Sequence, residues 1–224
     1  MQITANGIDL EVRTAGPADG PPLVLLHALG KDAADWDPIV PALAEHWRVL
    51  AVDLRGHGAS DHPGEYSLEL MRDDVLALLD ALDLDRIDLI GHSLGGFVAH
   101  LVAQHAPDRV ARLVLEDVTA PLPRSVPPPE RPDGELAFDW DMVLAVRRQI
   151  DDPDPAWLDG LGRITAETLV VYGGAPSPMP RERVEEIVRR IPKAQMATIE
   201  AGHLVHAAEP ERFTAVVLDF LQPA

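Results

Sequence analysis

Residues 89–96 read Leu89-Ile90-Gly91-His92-Ser93-Leu94-Gly95-Gly96, a serine set among three glycines. An apolar, strand-like run from Ile87 to Ile90 enters a Gly-x-Ser-x-Gly pentapeptide. A helix-compatible segment, Phe97 to His105, leaves it. Strand, sharp turn and helix form the setting in which this otherwise loose pattern presents a nucleophile. Gly91 and Gly95 suit a turn so tight that a Cβ would collide with the chain. Ser93 then projects its hydroxyl from the turn. The Leu94 amide, at the foot of the helix, faces the place where an oxyanion would form.

Outward from this turn, strand-like and helix-like segments alternate. Ile3 to Val12 reads as a hairpin turning at Asn6-Gly7. Further strands are expected at 22–27, 48–53, 112–117, 168–172 and 195–199. Helices are expected at 40–47, 68–82, 181–191 and 210–221. Short apolar strands between helices predict a mostly parallel sheet of about seven to eight strands, covered on both faces. Such sheets hold ligands beyond the carboxyl ends of their strands, and His27, Asp53, Ser93 and Asp117 all fall there. The alternation breaks between residues 119 and 166. Six prolines, from Pro121 to Pro132, crowd the first part and forbid regular helix. A helical stretch, 140–150, follows. The expected organisation is a core of 1–118 and 167–224, with 119–166 as a short cap inserted over the active edge.

The 224 residues suit one domain. Cysteine is absent, which excludes disulfides, thiolate metal sites and a cysteine nucleophile. A net charge of -18 opposes binding to nucleic acid or anionic lipid, which needs clustered cations. No apolar run approaches about 18 residues and no signal-like leader opens the chain, so a cytoplasmic protein without a membrane span is expected. No His-x-x-x-His pair with a nearby carboxylate stands out, so no metal site is expected.

A serine hydroxyl needs a base. Of nine histidines, His203 is best placed: Gly202 allows a close turn, and the pair lies between the last strand and the last helix. His206 reads as a packing residue. With these segments in hand, the chain resembles serine hydrolases of the α/β-hydrolase fold over nearly its full length. His27-Ala28-Leu29-Gly30 resembles the family's His-Gly-x-Gly loop, with Ala28 in place of the usual Gly. Asp53-Leu54-Arg55-Gly56-His57-Gly58-Ala59-Ser60 resembles its Asp-x-Arg-Gly-x-Gly-x-Ser turn, a structural signature that gives His57 no catalytic part. The resemblance implies Ser93 as nucleophile, His203 as base and the Leu29 and Leu94 amides as oxyanion hole, with His92 structural.

The acid departs from the family pattern. Its usual place is the loop after the strand 168–172. That loop, Gly173 to Pro180, holds no carboxylate, and Ser177 stands about where the Asp is expected. Some family members draw the acid from the end of the strand after the elbow helix, which here reads Leu115-Glu116-Asp117. Adjacent strand residues face opposite sides, so one of the two can serve. Asp117 is the first choice and Glu116 the alternative; Asp139 and Asp141 are more distant, and Ser177 could orient His203 weakly.

The implied function is cofactor-independent hydrolysis of carboxylic esters or related small acyl compounds by a monomer or homodimer. Lactonase, C–C hydrolase and cofactorless perhydrolase are alternatives on the same fold, and a non-catalytic small-ligand-binding member is another. In the cap, Phe138, Trp140, Met142 and Trp157 are candidate substrate-binding walls.

Overall fold

The computed structural model describes residues 1–222; residues 223–224, assigned to the core above, lie outside them. Eight strands make one sheet: β1 (Gln2–Ala5), β2 (Ile8–Ala15), β3 (Pro22–Leu26), β4 (Arg48–Val52), β5 (Ile87–His92), β6 (Val110–Glu116), β7 (Glu167–Tyr172) and β8 (Ala194–Thr198). Their order is β1-β2-β4-β3-β5-β6-β7-β8. β1 and β2 pair antiparallel, as does β2 with β4; every other pairing is parallel.

The helices are α1 (Val40–Leu43), α2 (Leu68–Ala81), α3 (Leu94–His105), α4 (Trp140–Asp151), α5 (Pro155–Gly160), α6 (Arg181–Arg190), α7 (Val205–Ala208) and α8 (Pro210–Leu221). Because strand side chains alternate, the apolar residues of each central strand divide between two cores. Val24, Leu26, Leu89 and Leu113 pack with α2, α3 and α6. Leu23, Leu25, Ile90 and Val114 pack on the other face with α1 and α8. Two-sided burial explains why the strands read as continuous apolar runs.

Several expected boundaries move, three of them notably. The helix expected over 40–47 stops at Leu43. The chain tightens there, with the Trp47 amide donating back to Leu43, and buried Trp47 donates its indole N–H to Asp88 at 3.2 Å. β6 ends at Glu116, not Asp117, because Asp117 has φ of 42° and leaves the pleat. The elbow helix begins at Leu94, three residues earlier than expected. Residues 117–139 contain no helix or extended strand, in line with the proline content. Hydrogen bonds fix both ends of this segment. Arg183 donates to the carbonyls of Leu122 and Pro123, while the Asp139 amide donates to Gly56.

Candidate active site

Ser93 joins β5 to α3 with φ of 49° and ψ of -108°. This is costly backbone for a residue with a Cβ, and such strain persists only where the surroundings impose it. Here they do. A Cβ on Gly91 would overlap the Gly95 carbonyl, and one on Gly95 would overlap the Leu26 carbonyl. The Ser93 amide donates to Glu116, and the Gly95 amide donates to His27. The second bond ties the elbow to the loop that carries Leu29. Neither the Leu29 nor the Leu94 amide donates a hydrogen bond among the described residues.

His27, at the base of that loop, is fully buried and works structurally. Its Nδ1 lies 2.7 Å from the Ala28 carbonyl and so must donate, leaving Nε2 to accept from the Leu54 amide at 3.0 Å. Burial holds it neutral. His57 is likewise sealed, and burial pushes its imidazole down to about 3. The Asp53 carboxylate accepts from the Ala33 and Ala59 amides, so the 53–60 turn is a brace.

On the far side of Ser93, three loops converge. The Asp117 carboxylate accepts from the Gly173 amide (2.9 Å), from the Ser177 hydroxyl (2.6 Å) and from His203 Nδ1 (2.7 Å). Ser177, in the loop after β7 where the family pattern places its Asp, is thus a donor to the Asp117 carboxylate. The Ala201 and Gly202 amides donate to Gly173, fixing the His203 loop against the end of β7. Asp117 is fully buried, while the His203 side chain keeps 29% exposure.

Glu116 lies elsewhere. It is fully buried and binds His206 through Nδ1 (2.8 Å) and through the backbone amide (2.9 Å). The Asp35 carboxylate stands 3.5 Å from the other ring nitrogen. Burial alone would lower the His206 pKa. The Glu116 and Asp35 charges override burial and push it up to about 9, so the ring is an imidazolium at neutral pH. His92 differs: burial pushes it down to about 4, and its Nε2 donates to the His203 carbonyl at 2.8 Å. His92 and Glu116 each directly precede a site residue, Ser93 and Asp117, while His206 lies three residues after His203; all three are fully buried.

These three groups bring potential ligand atoms within 4.8 Å of one another, a proximity that local spacing could not reveal. The donor set nonetheless fits an ion pair better than a metal. The Glu116 oxygens are taken by His206, and a protonated imidazole repels a cation.

A cavity of about 410 Å³ is lined by Leu29, Ser93, Leu94, Asp117 and His203, with apolar walls from Phe97, Val118, Ile150 and Met179. Among the described residues Ser93 and His203 share no hydrogen bond; such contacts are often loose without substrate. None of the four expected wall residues lines this cavity. Met142 is fully buried and Trp157 nearly so, both in the core. Phe138 packs against Gly30 and His57, and Trp140 is half-buried against the core. Asp139 accepts from the Tyr66 hydroxyl and caps α4. From residues 119–166 the wall draws instead on Thr119, Arg124, Arg147 and Ile150.

A strained serine at the centre of a mostly parallel sheet, with a carboxylate-bonded histidine at the same edge, is the arrangement of an α/β hydrolase. The chain belongs to the alpha/beta hydrolase fold family, whose family model matches residues 21–146. It is similar to 2-hydroxymuconate semialdehyde hydrolase of Pseudomonas sp. (strain CF600), with 30% identity across 100% of this chain and 94% of that protein. A solved hydrolase from Pseudomonas aeruginosa PA01 matches with TM-score 0.87 and 32% identity, covering 100% of this chain and 98% of the other. The enol-lactonase from Burkholderia xenovorans LB400 matches with TM-score 0.88 and 26% identity, covering 99% of each chain. These relatives are hydrolases, and this protein is an enzyme of that kind. Among the described residues no helix is long and apolar enough to cross a membrane.

Proposed function

We propose that the protein is a cofactor-independent serine hydrolase of carboxylic esters and related small acyl compounds, acting in the cytoplasm. The observation that carries this reading is the 2.7 Å bond between His203 Nδ1 and buried Asp117, at the edge of the cavity that Ser93 also lines. Asp117 holds the imidazole in the tautomer whose Nε2 can accept a proton, and it stabilises the imidazolium that forms. Ser93 Oγ attacks the substrate carbonyl as its proton passes to His203. The Leu29 and Leu94 amides stabilise the tetrahedral oxyanion; one such donor is worth about 10²–10³ in rate. Collapse expels the alcohol, which takes the proton from His203. Water, deprotonated by the same histidine, then attacks the acyl-enzyme and releases Ser93.

Residues 119–166 act as a short cap over the cavity. A non-catalytic ligand-binding role would give the strained serine and the histidine–aspartate pair nothing to do. Hydrolysis of short 4-nitrophenyl esters tests the proposal. Turnover should vanish in Ser93→Ala and His203→Ala, and full activity in either variant would refute it.

A further inference from the structure

Three cations line the cavity wall: Lys31, which pairs with Asp35 at 3.4 Å, and the two arginines Arg124 and Arg147. The chain has only 19 Lys and Arg against 37 Asp and Glu, so this gathering runs against its composition. The one acidic residue in the wall, Asp117, is already committed to His203 and Ser177. Behind the wall, Arg124 and Arg147 share a single counter-ion. Arg124 Nε donates to one Asp151 oxygen at 2.7 Å, and Arg147 Nη2 reaches the other at only 3.4 Å. Two guanidiniums on one carboxylate leave an excess positive charge. Arg147 Nε is buried without a hydrogen bond, a costly state for a charged donor. Both arginine side chains keep partial exposure, 27% and 22%, so they remain open to a ligand in the cavity.

A protein this acidic repels anions at long range, and a local cation pair reverses that inside the site. The planar guanidinium suits a carboxylate, which it binds with two parallel hydrogen bonds. The rest of the wall, Leu29, Phe97, Val118, Ile150 and Met179, suits a hydrocarbon chain. Building on the Ser93 reading above, we propose that the preferred substrates are half-esters of dicarboxylic acids: an ester at Ser93, an alkyl spacer along the apolar wall and a free carboxylate on Arg124 and Arg147.

The test separates binding from chemistry. Monoethyl adipate and ethyl hexanoate are titrated into the Ser93→Ala protein by calorimetry. A charged hydrogen bond is worth about tenfold to a hundredfold in affinity, so the half-ester should bind at least tenfold tighter. Arg147→Gln, and the Arg124→Gln/Arg147→Gln pair, should shrink that preference toward unity. Arg124 also anchors the insertion to Asp151, so the single Arg147 variant and the wild-type comparison stand if the double variant misfolds. Equal binding of the two esters, or a preference that survives Arg147→Gln, overturns the proposal. Tighter binding of a phosphate-ended analogue of the same length overturns the carboxylate assignment. Turnover of monoethyl adipate by the Ser93-intact protein is read separately: selective binding without hydrolysis supports the anion site and rejects the Ser93 reading.

Discussion

His203 Nδ1 and Asp117 Oδ2 lie 2.7 Å apart although 86 positions separate them in the chain. In the proposed mechanism this contact makes Asp117 the acid. It stands at the end of β6 and not after β7, where Ser177 now donates a hydrogen bond to it. Asp117→Asn keeps the size of the side chain but favours the wrong histidine tautomer. Turnover of 4-nitrophenyl esters should fall by about 10³–10⁴, with little change in fold. Near-native turnover would move the acid elsewhere.

Ser177→Ala removes a donor to that carboxylate and leaves the Gly173 amide in place. One lost hydrogen bond to a charged group costs about 1.5–3 kcal/mol, shared here between stability and the aim of His203. We expect kcat to drop about tenfold with KM little altered, and Ser177→Thr, which retains the hydroxyl, to recover most of the loss. An equal loss in both variants would mean that the side chain acts by bulk alone.

Glu116 and His206 form an ion pair, and pH should report it. The His206 imidazole titrates near 9 in the folded protein and near 6.5 when unfolded. The raised value means that its stabilisation is complete below about pH 6.5 and disappears as pH climbs to about 9, amounting to about 3 kcal/mol. Denaturation midpoints should fall across that interval in the wild type and stay nearly flat in His206→Gln. Glu116→Gln strands the buried imidazolium and should cost about 3–5 kcal/mol. A wild-type midpoint independent of pH between 6.5 and 9 would contradict the assignment.

Gly95→Ala tests the elbow. The added methyl would overlap the Leu26 carbonyl, so α3 must shift away from β3. The expected cost is at least the roughly 1–3 kcal/mol of an overpacked core, together with loss of esterase activity. An unchanged denaturation midpoint would show that the approach is looser than described.

What was legible in the sequence was local. The elbow, the hairpin at Asn6-Gly7 and the bounds of α8 follow from short-range pattern, because strain, turn chemistry and helical periodicity act over a few residues. Asp117 was readable as one of two choices, since adjacent strand residues face apart. Which of them meets His203 depends on the positive φ at Asp117, and no pattern announces it. The pair Glu116–His206 spans 90 positions and Arg124 reaches Asp151 across 27, so neither could be read locally. The expected walls failed for a general reason. Met142 and Trp157 are large and apolar, and burial in the core satisfies them as well as a substrate would, while Phe138 finds its partners in Gly30 and His57. The wall instead drew on Arg124 and Arg147, which the sequence presents as ordinary surface charges.

The proposed mechanism stands or falls on Ser93 as an activated nucleophile. The most direct measurement is mass spectrometry of the protein after treatment with an alkyl fluorophosphonate, with peptide mapping of the adduct. A single adduct on Ser93 is expected in the wild type, with strongly slowed labelling in His203→Ala and Asp117→Asn and none in Ser93→Ala. An unlabelled wild-type protein, or an adduct that persists in Ser93→Ala, would contradict the mechanism.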